Sequence, residues 1–215
     1  MSTTRTGELR FGVIGYGLRR SLVREAQRLD LPARCVAVAD LDPKQRDLAL
    51  TEMVEDAGER KYPPPTTYDD YRRMLDDPQV DAVFILSPDY LHEEHAISCL
   101  GAGRHVYLEI PMALNAACCD RILKAAHESK AKLYVGHNMR QFDVFRKMKE
   151  LIDQGAIGQV QTAWCRHFIN YGGDAYFKDW HADRSKSNGL LLQKAAHDID
   201  VLHWLCGSHT TAVQA

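Results

Sequence analysis

The chain has 215 residues, of which 45% are hydrophobic and 26% are charged, a composition typical of a folded globular protein. Its 27 basic and 29 acidic residues leave a formal net charge of −2, which excludes the basic surplus that marks proteins binding nucleic acid or anionic membranes. No apolar run reaches the roughly 18 residues of a membrane helix, and the polar residues 1–10 lack the apolar segment of a secretion signal, so we expect a cytoplasmic protein without membrane partners.

Short apolar segments alternate with segments of helical periodicity from residue 10 to about residue 136. The predicted strands lie at residues 10–14, 35–39, 81–86, 105–108 and 132–135. A helix is predicted after each of the first four strands, with a further short helix over residues 69–75 and a proline-rich loop over residues 62–67. Continuous apolar strands that alternate with amphipathic helices are typical of a parallel sheet covered on both faces. The predicted fold class is therefore α/β, a Rossmann domain.

The pattern changes after residue 140, where we predict an incomplete α+β second domain. A helix over residues 142–154, a long strand over residues 159–168 and a helix over residues 189–206 are predicted. The apolar stripe of the last helix is predicted to consist of Ala195, Ile199, Leu202 and Cys206. One strand and two helices bury little surface by themselves. The expected organisation is a cofactor-binding domain at 1–137 and a partial substrate or oligomerisation domain at 138–215.

The turn after the first predicted strand reads Gly15-Tyr16-Gly17-Leu18-Arg19-Arg20. Gly15 permits a tight turn, Gly17 lets the backbone approach a pyrophosphate, and the N-terminus of the next helix favours that anion. Asp40 ends the second strand about 20 residues further on, where a carboxylate accepts hydrogen bonds from the adenosine ribose and repels a 2′-phosphate. These residues predict NAD rather than NADP as the cofactor. The alternative is a tight turn in a domain that binds no ligand.

One position of this turn departs from the dinucleotide-binding pattern. The third glycine, which normally permits close packing of helix and strand, is replaced by Arg20. The arginine side chain is expected either to turn outward or to crowd the pyrophosphate site and weaken cofactor binding.

Three further segments resemble the glucose-fructose oxidoreductase / inositol dehydrogenase (Gfo/Idh/MocA) family. They are Leu-Ser-Pro-Asp-Tyr-Leu-His at 86–92, His-Val-Tyr-Leu-Glu-Ile-Pro-Met at 105–112, and the segment 189–204, which contains Lys-Ala-Ala-His-Asp-Ile-Asp at 194–200. The resemblance implies an NAD-dependent oxidoreductase that transfers a hydride between nicotinamide and a secondary alcohol or ketone of a sugar or polyol. It also implies a homo-oligomer, or a partner chain that completes the second domain.

The same resemblance implies roles for individual residues. Cofactor contacts are expected at Ser87, His92, Glu109 and Asn138, in addition to the backbone of Gly15, Tyr16, Gly17 and Leu18 and the side chain of Asp40. His197 takes the place of the catalytic histidine, and Lys194 lies one helical turn before it. At 100° per residue both side chains leave the core side of the last helix. No metal is expected, because His92-Glu-Glu-His95 is half a metal-binding pattern without further ligands.

Several departures from the family pattern keep a second interpretation open. The lysine of the Glu-Lys-Pro signature aligns with Ile110, which can neither donate a proton nor stabilise an alkoxide. Gln193 replaces the acid that the family has four residues before its histidine, and Lys194 is expected to take over part of the missing lysine's role. The loop around Trp180 and His181 either lines a substrate pocket or packs as an aromatic loop. The alternative function is a catalytically silent Rossmann protein that binds cofactor or a partner chain.

Overall fold

The structure is a computed structural model that describes residues 7–29, 31–168 and 173–214. The chain divides into two compact units, residues 1–135 and residues 136–215. Among the described residues, no helix is long and apolar enough to cross a membrane.

The first unit contains a six-stranded sheet in which every pair of neighbours is parallel. Its strands are β1 Leu9–Ile14, β2 Ala33–Ala39, β3 Thr66–Tyr68, β4 Ala82–Ile85, β5 His105–Leu108 and β6 Leu133–Val135. The strand order is β3-β2-β1-β4-β5-β6, so the direction of winding reverses between β1 and β4. Open α/β sheets bind ligands in the crevice at this reversal, at the carboxyl ends of the strands. The predicted Rossmann fold is confirmed.

Five helices connect these strands. They are α1 Arg20–Arg28, α2 Pro43–Ala57, α3 Tyr71–Leu75, α4 His92–Gly101 and α5 Ala116–Glu128. Asp42, Asp70 and Asn115 cap α2, α3 and α5, because each side chain accepts a hydrogen bond from a backbone N–H of the first turn. Successive residues of β1 enter different apolar clusters, Val13 one and Ile14 the other. Since successive side chains of a strand point to opposite faces, the sheet is packed on both sides.

Two details of the first unit differ from the sequence prediction. Residues 66–68 form the edge strand β3, although the prediction placed them at the end of a loop; three prolines just before it obscure so short a strand. The helical spacing of Leu18 and Leu22 predicts an apolar stripe that begins at Leu18, but α1 starts at Arg20 and the Leu18 side chain is 79% exposed. The buried side chains of α1 are Val23 and Gln27.

The second unit is helical in its described part. Its helices are α6 Asp143–Asp153, α7 Asp179–Ala182, α8 Arg184–Ser187 and α9 Leu190–Cys206, with 3-10 turns at Asn138–Gln141 and Gly173–Phe177. The predicted strand over 159–168 is wrong: these residues are mostly exposed and pair with no strand in the described part of the chain. A strand needs a neighbour for its backbone hydrogen bonds, and an apolar segment without one stays irregular.

The predicted apolar stripe of α9 is also wrong. The buried side chains of this helix are Gln193, Val201 and Leu205, whereas Ile199 is 47% exposed. Residues four apart lie on one helical face, so His197 shares the face of Val201 and Leu205 instead of pointing away from the packed side. The helix α9 packs against α6 and the 3-10 turn at 138–141.

Candidate cofactor-binding site and the histidines of the second unit

Gly15 and Gly17 have different structural reasons to be glycine. Gly15 has φ +87°, and a Cβ atom there would lie 3.0 Å from both the Cα and the backbone N of Ser87. The loop after β1 therefore touches the loop after β4, and only glycine fits between them. A Cβ atom on Gly17 would meet nothing within 4 Å, so the turn is open at that residue. Open space beside backbone at a helix N-terminus is what a pyrophosphate group needs.

Asp40 fixes the shape of the turn. Its Oδ2 atom accepts a hydrogen bond from the Tyr16 N–H at 2.7 Å, and its Oδ1 atom accepts one from the Asp42 N–H at 2.9 Å. A carboxylate oxygen can accept more than one hydrogen bond, so both atoms retain capacity for ribose hydroxyl donors. Arg46, which the sequence analysis missed, donates to the backbone carbonyls of Asp40 at 2.6 Å and Leu41 at 3.1 Å. The predicted adenosine end of the site thus contains a cation as well as the carboxylate.

Arg20 is directed towards α2. Its Nη1 atom donates to the Gly17 carbonyl at 3.2 Å, and its Nε atom lies 3.3 Å from Oε2 of Glu52. Glu52 also accepts a hydrogen bond from the hydroxyl of Tyr16 at 2.9 Å, and burial followed by this carboxylate raises the pKa of Tyr16. Because the Tyr16 side chain is buried and engaged, its backbone is the part that faces the turn. Leu18 has its side chain in solvent, so it too contributes only backbone to this segment.

His92 joins the loops that follow β4 and β5. Its buried ring places Nε2 2.9 Å from the Ser87 carbonyl and Nδ1 2.8 Å from the Pro111 carbonyl. Burial lowers the pKa of His92, and the two carbonyls oppose that shift. The Ser87 hydroxyl lies 2.9 Å from Nδ1 of His95, whose pKa burial lowers to about 4. The two histidines therefore position the loops at this edge of the sheet.

Glu109, at the carboxyl end of β5, forms an ion pair with Arg19. The Nη2 and Nε atoms of Arg19 lie 2.9 Å and 3.2 Å from Oε1 of Glu109. The N–H of Ile110 donates to Oε2 at 3.3 Å. Nothing in the sequence pairs residues 19 and 109, which are 90 positions apart, so this contact was not predicted. The structure brings Gly15, Asp40, Ser87 and Glu109 to one edge of the sheet, as expected for a dinucleotide site.

In the second unit His197 packs against His137, which lies beside an ion pair. Its ring is perpendicular to that of His137, with centroids 6.1 Å apart. The Nδ1 atom of His137 lies 3.6 Å from Oδ2 of Asp200, and the same carboxylate receives the Arg140 guanidinium with an Nε–Oδ2 distance of 2.7 Å. Asn138 follows His137 and begins the 3-10 turn. Asp200 is three residues after His197, a spacing that places both on adjacent parts of one helix face.

Lys194 has other neighbours. Its Nζ atom lies 5.5 Å from the centroid of the Tyr176 ring, a cation–π contact. The adjacent Gln193 amide lies 3.0 Å from Nδ1 of His181, and the His181 ring stacks on Trp180 at 3.7 Å. Burial lowers the pKa of His181. Among the described residues, no group of three His, Cys, Asp or Glu side chains is arranged to hold a metal ion.

Family comparison agrees with this arrangement. Residues 9–137 match a family model described as an oxidoreductase family with an NAD-binding Rossmann fold, and residues 145–215 match the GFO/IDH/MocA C-terminal domain. The chain belongs to the Gfo/Idh/MocA family. This match confirms two predictions from the sequence, the family and NAD as its cofactor.

Individual family members are similar along most of this chain. Inositol 2-dehydrogenase of Pseudomonas fluorescens is 30% identical over 208 residues, which are 96% of this chain and 57% of that protein. The crystal structure of myo-inositol 2-dehydrogenase from Lactobacillus plantarum superposes with a TM-score of 0.76 at 26% identity, covering 93% of this chain and 57% of the other. Scyllo-inositol dehydrogenase from Lactobacillus casei, with bound NAD(H) and scyllo-inositol, gives 0.74 at 26% identity, over 93% and 56%. The chain spans little more than half the length of these relatives.

Proposed function

We propose that the chain is an NAD-dependent oxidoreductase that acts on a secondary alcohol or ketone of a polyol or sugar, and that it works in the cytoplasm. The turn at Gly15 and Gly17, joined to Asp40 by the 2.7 Å hydrogen bond from Tyr16, is the observation that carries the proposal. It supplies an open anion site and a ribose acceptor in one connected structure. The relatives that are inositol dehydrogenases support the polyol substrate class.

In this proposal, different residues of the first unit bind different parts of the cofactor. The backbone from Gly15 to Leu18 holds the pyrophosphate with the N-terminus of α1, and Asp40 accepts from the adenosine ribose. Glu109 accepts from the nicotinamide half, with Ser87 and His92 shaping the loops between. NAD supplies the hydride acceptor when it is bound. Asn138 is a further proposed contact.

Proton transfer is assigned to the second unit. His197 takes the proton of the substrate hydroxyl at an imidazole nitrogen, a role suited to histidine near neutral pH. Its ring packs perpendicular to that of His137, which lies 3.6 Å from the Asp200 carboxylate. Lys194, whose ammonium group lies over the Tyr176 ring, stabilises the alkoxide in place of the family's signature lysine, which is Ile110 in this chain.

The test is turnover with a panel of inositols and sugars, followed by NADH absorbance. We expect slow oxidation by the natural chain and a gain in Ile110→Lys, since a general acid–base group contributes roughly 10²–10⁴-fold. Ile110→Met is the matched control, because it has a long side chain without an amine and should give no gain. His197→Ala should abolish the activity. Robust activity that survives both His197→Ala and Lys194→Ala would refute the site assignment.

A catalytically silent protein is the second candidate, favoured by Ile110 and by the ion pair that occupies Glu109. It predicts NAD binding without turnover in the natural chain and also in Ile110→Lys. Restored turnover in Ile110→Lys, with none in Ile110→Met, supports an enzyme whose active site is otherwise intact.

Self-association, or binding to a second chain, is proposed for the second unit. Large apolar side chains are exposed there, among them Trp164, Phe168, Phe177 and Leu191. Contiguous exposed apolar surface tends to become an interface. Light scattering at micromolar concentration should give a mass above that of the monomer for the protein alone, or only after the partner is added. A protein that unfolds cooperatively on heating and stays monomeric, both alone and with the partner, contradicts this part of the proposal.

A further inference from the structure

We propose that Arg19 is a pyrophosphate ligand, and that its ion pair with Glu109 is the ligand-free form of a two-partner exchange. When a dinucleotide binds, Arg19 leaves Glu109 for the pyrophosphate, and the Glu109 carboxylate becomes available to a hydroxyl donor of the nicotinamide half. This inference rests on the proposed cofactor site and adds to it Arg19, a position whose residue type the glycine pattern does not specify.

The path of the Arg19 side chain is the first reason. Arg19 immediately precedes α1, in the loop that leaves β1, and Glu109 immediately follows β5. In the sheet β4 lies between β1 and β5, so the ion pair spans the crevice at the carboxyl end of β4. This is the crevice in which doubly wound sheets bind their ligands. A dinucleotide that enters it meets the guanidinium directly.

The environments of the two partners are the second reason. The Arg19 side chain is 45% exposed, whereas that of Glu109 is 8% exposed. Glu109 keeps a donor when Arg19 leaves, because the Ile110 N–H remains hydrogen bonded to its Oε2 atom at 3.3 Å. Burial, followed by the charge of Glu109, raises the pKa of the Tyr107 hydroxyl, which therefore stays protonated. The exchange therefore leaves no buried carboxylate without donors, which is the costly outcome.

The chemistry of the guanidinium is the third reason. Arginine presents paired donors that match two oxygens of a phosphate group, and it already donates to Glu109 through two nitrogens. A pyrophosphate carries more negative charge than one carboxylate, so it competes effectively for the same donors. The neighbouring Arg20 is engaged with Gly17 and with Glu52 of α2. Arg19 is therefore the arginine of this turn that faces the crevice.

Calorimetric titration with ADP, adenosine and NAD tests the inference on the whole chain. ADP carries the pyrophosphate and adenosine does not. Arg19→Ala should weaken ADP and NAD binding about 10- to 100-fold, the usual effect of losing hydrogen bonds to a charged group, and leave adenosine unchanged. Its affinity for ADP should also depend less on salt concentration than that of the natural chain.

Two further variants complete the design. Arg28→Ala removes the same charge from the far end of α1, where Arg28 pairs with Asp56, and should bind all three ligands like the natural chain. Glu109→Gln removes the competitor for Arg19 and should bind ADP at least as tightly. If the Arg19→Ala variant binds ADP as well as or better than the natural chain, the inference is overturned, since Arg19 would then only hold Glu109 in place and would not bind the pyrophosphate. A natural chain that binds neither NAD nor ADP overturns the cofactor proposal and this inference together.

Discussion

Alanine at Gly15 should damage the fold, whereas alanine at Gly17 should damage cofactor binding alone. At Gly15 the backbone has φ +87°, which costs a residue with a Cβ about 1–2 kcal/mol. The new methyl group would also lie 3.0 Å from backbone atoms of Ser87, which cannot rotate away as a side chain can. Forcing the two loops apart adds roughly 1–3 kcal/mol, the usual cost of overpacking.

Thermal unfolding followed by circular dichroism measures this effect. The total loss of about 2–5 kcal/mol in Gly15→Ala corresponds to a fall of about 4–20 °C in Tm for a chain of this size. Gly17→Ala should keep the Tm of the natural chain within about 2 °C, because no atom lies within 4 Å of the added methyl group. The same methyl group occupies the space proposed for the pyrophosphate, so NAD affinity should fall at least ~10-fold, the effect of losing one good contact.

The two variants serve as controls for each other, since each adds one methyl group to the same turn. Equal losses of stability would show that the turn is constrained along its whole length. A Gly17→Ala variant with normal NAD affinity would falsify the proposed pyrophosphate position.

Two further predictions concern charge and stability. Burial lowers the pKa of His95 to about 4 from its ordinary 6.5, so the unfolded chain binds more protons between those values and stability should fall by up to about 3 kcal/mol as pH drops from 6.5 to 4. His95→Asn, which can still reach Ser87, should flatten this slope in denaturant titrations at several pH values; an unchanged slope contradicts the assignment. Asp200→Asn should destabilise the second unit by about 1–3 kcal/mol by weakening its hydrogen-bonded pair with Arg140, whereas Glu150→Gln, in an exposed pair, should cost under about 1 kcal/mol. Equal effects of these two substitutions would mean that the Arg140 pair contributes no more than a surface pair.

The sequence predicts most of the first unit because its strands are buried on both faces. Such strands appear as continuous apolar runs, and five of the six were recognised in this way. β3 was missed because it is a three-residue edge strand after a run of prolines. The strand expected over 159–168 failed for a different reason. Apolar content shows that a segment is suited to a sheet, but a strand exists only where a neighbour pairs with it.

The candidate site was predicted to the extent that it depends on chain position. Glycines after β1 and carboxylates at the ends of β2 and β5 follow directly from the order of the elements. The contacts of long side chains cannot be predicted from the order of the elements. Arg19 reaches Glu109 across β4, and Arg46 reaches back to the carbonyl of Asp40. On α9 the packed face could not be inferred from apolarity, since Ile199 is exposed and His197 lies with the buried residues.

The preference for NAD over NADP tests the central claim most directly. Titration calorimetry of the natural chain with both cofactors should show NAD binding at least ~10-fold more tightly, because the Asp40 carboxylate accepts from the ribose hydroxyls and repels a 2′-phosphate. Asp40→Ser should reduce that preference, and Arg46→Ala should leave it or increase it, since Arg46 is the nearby cation. Equal affinities, or tighter binding of NADP, would contradict the role given to Asp40, and binding of neither cofactor would contradict the proposed site as a whole.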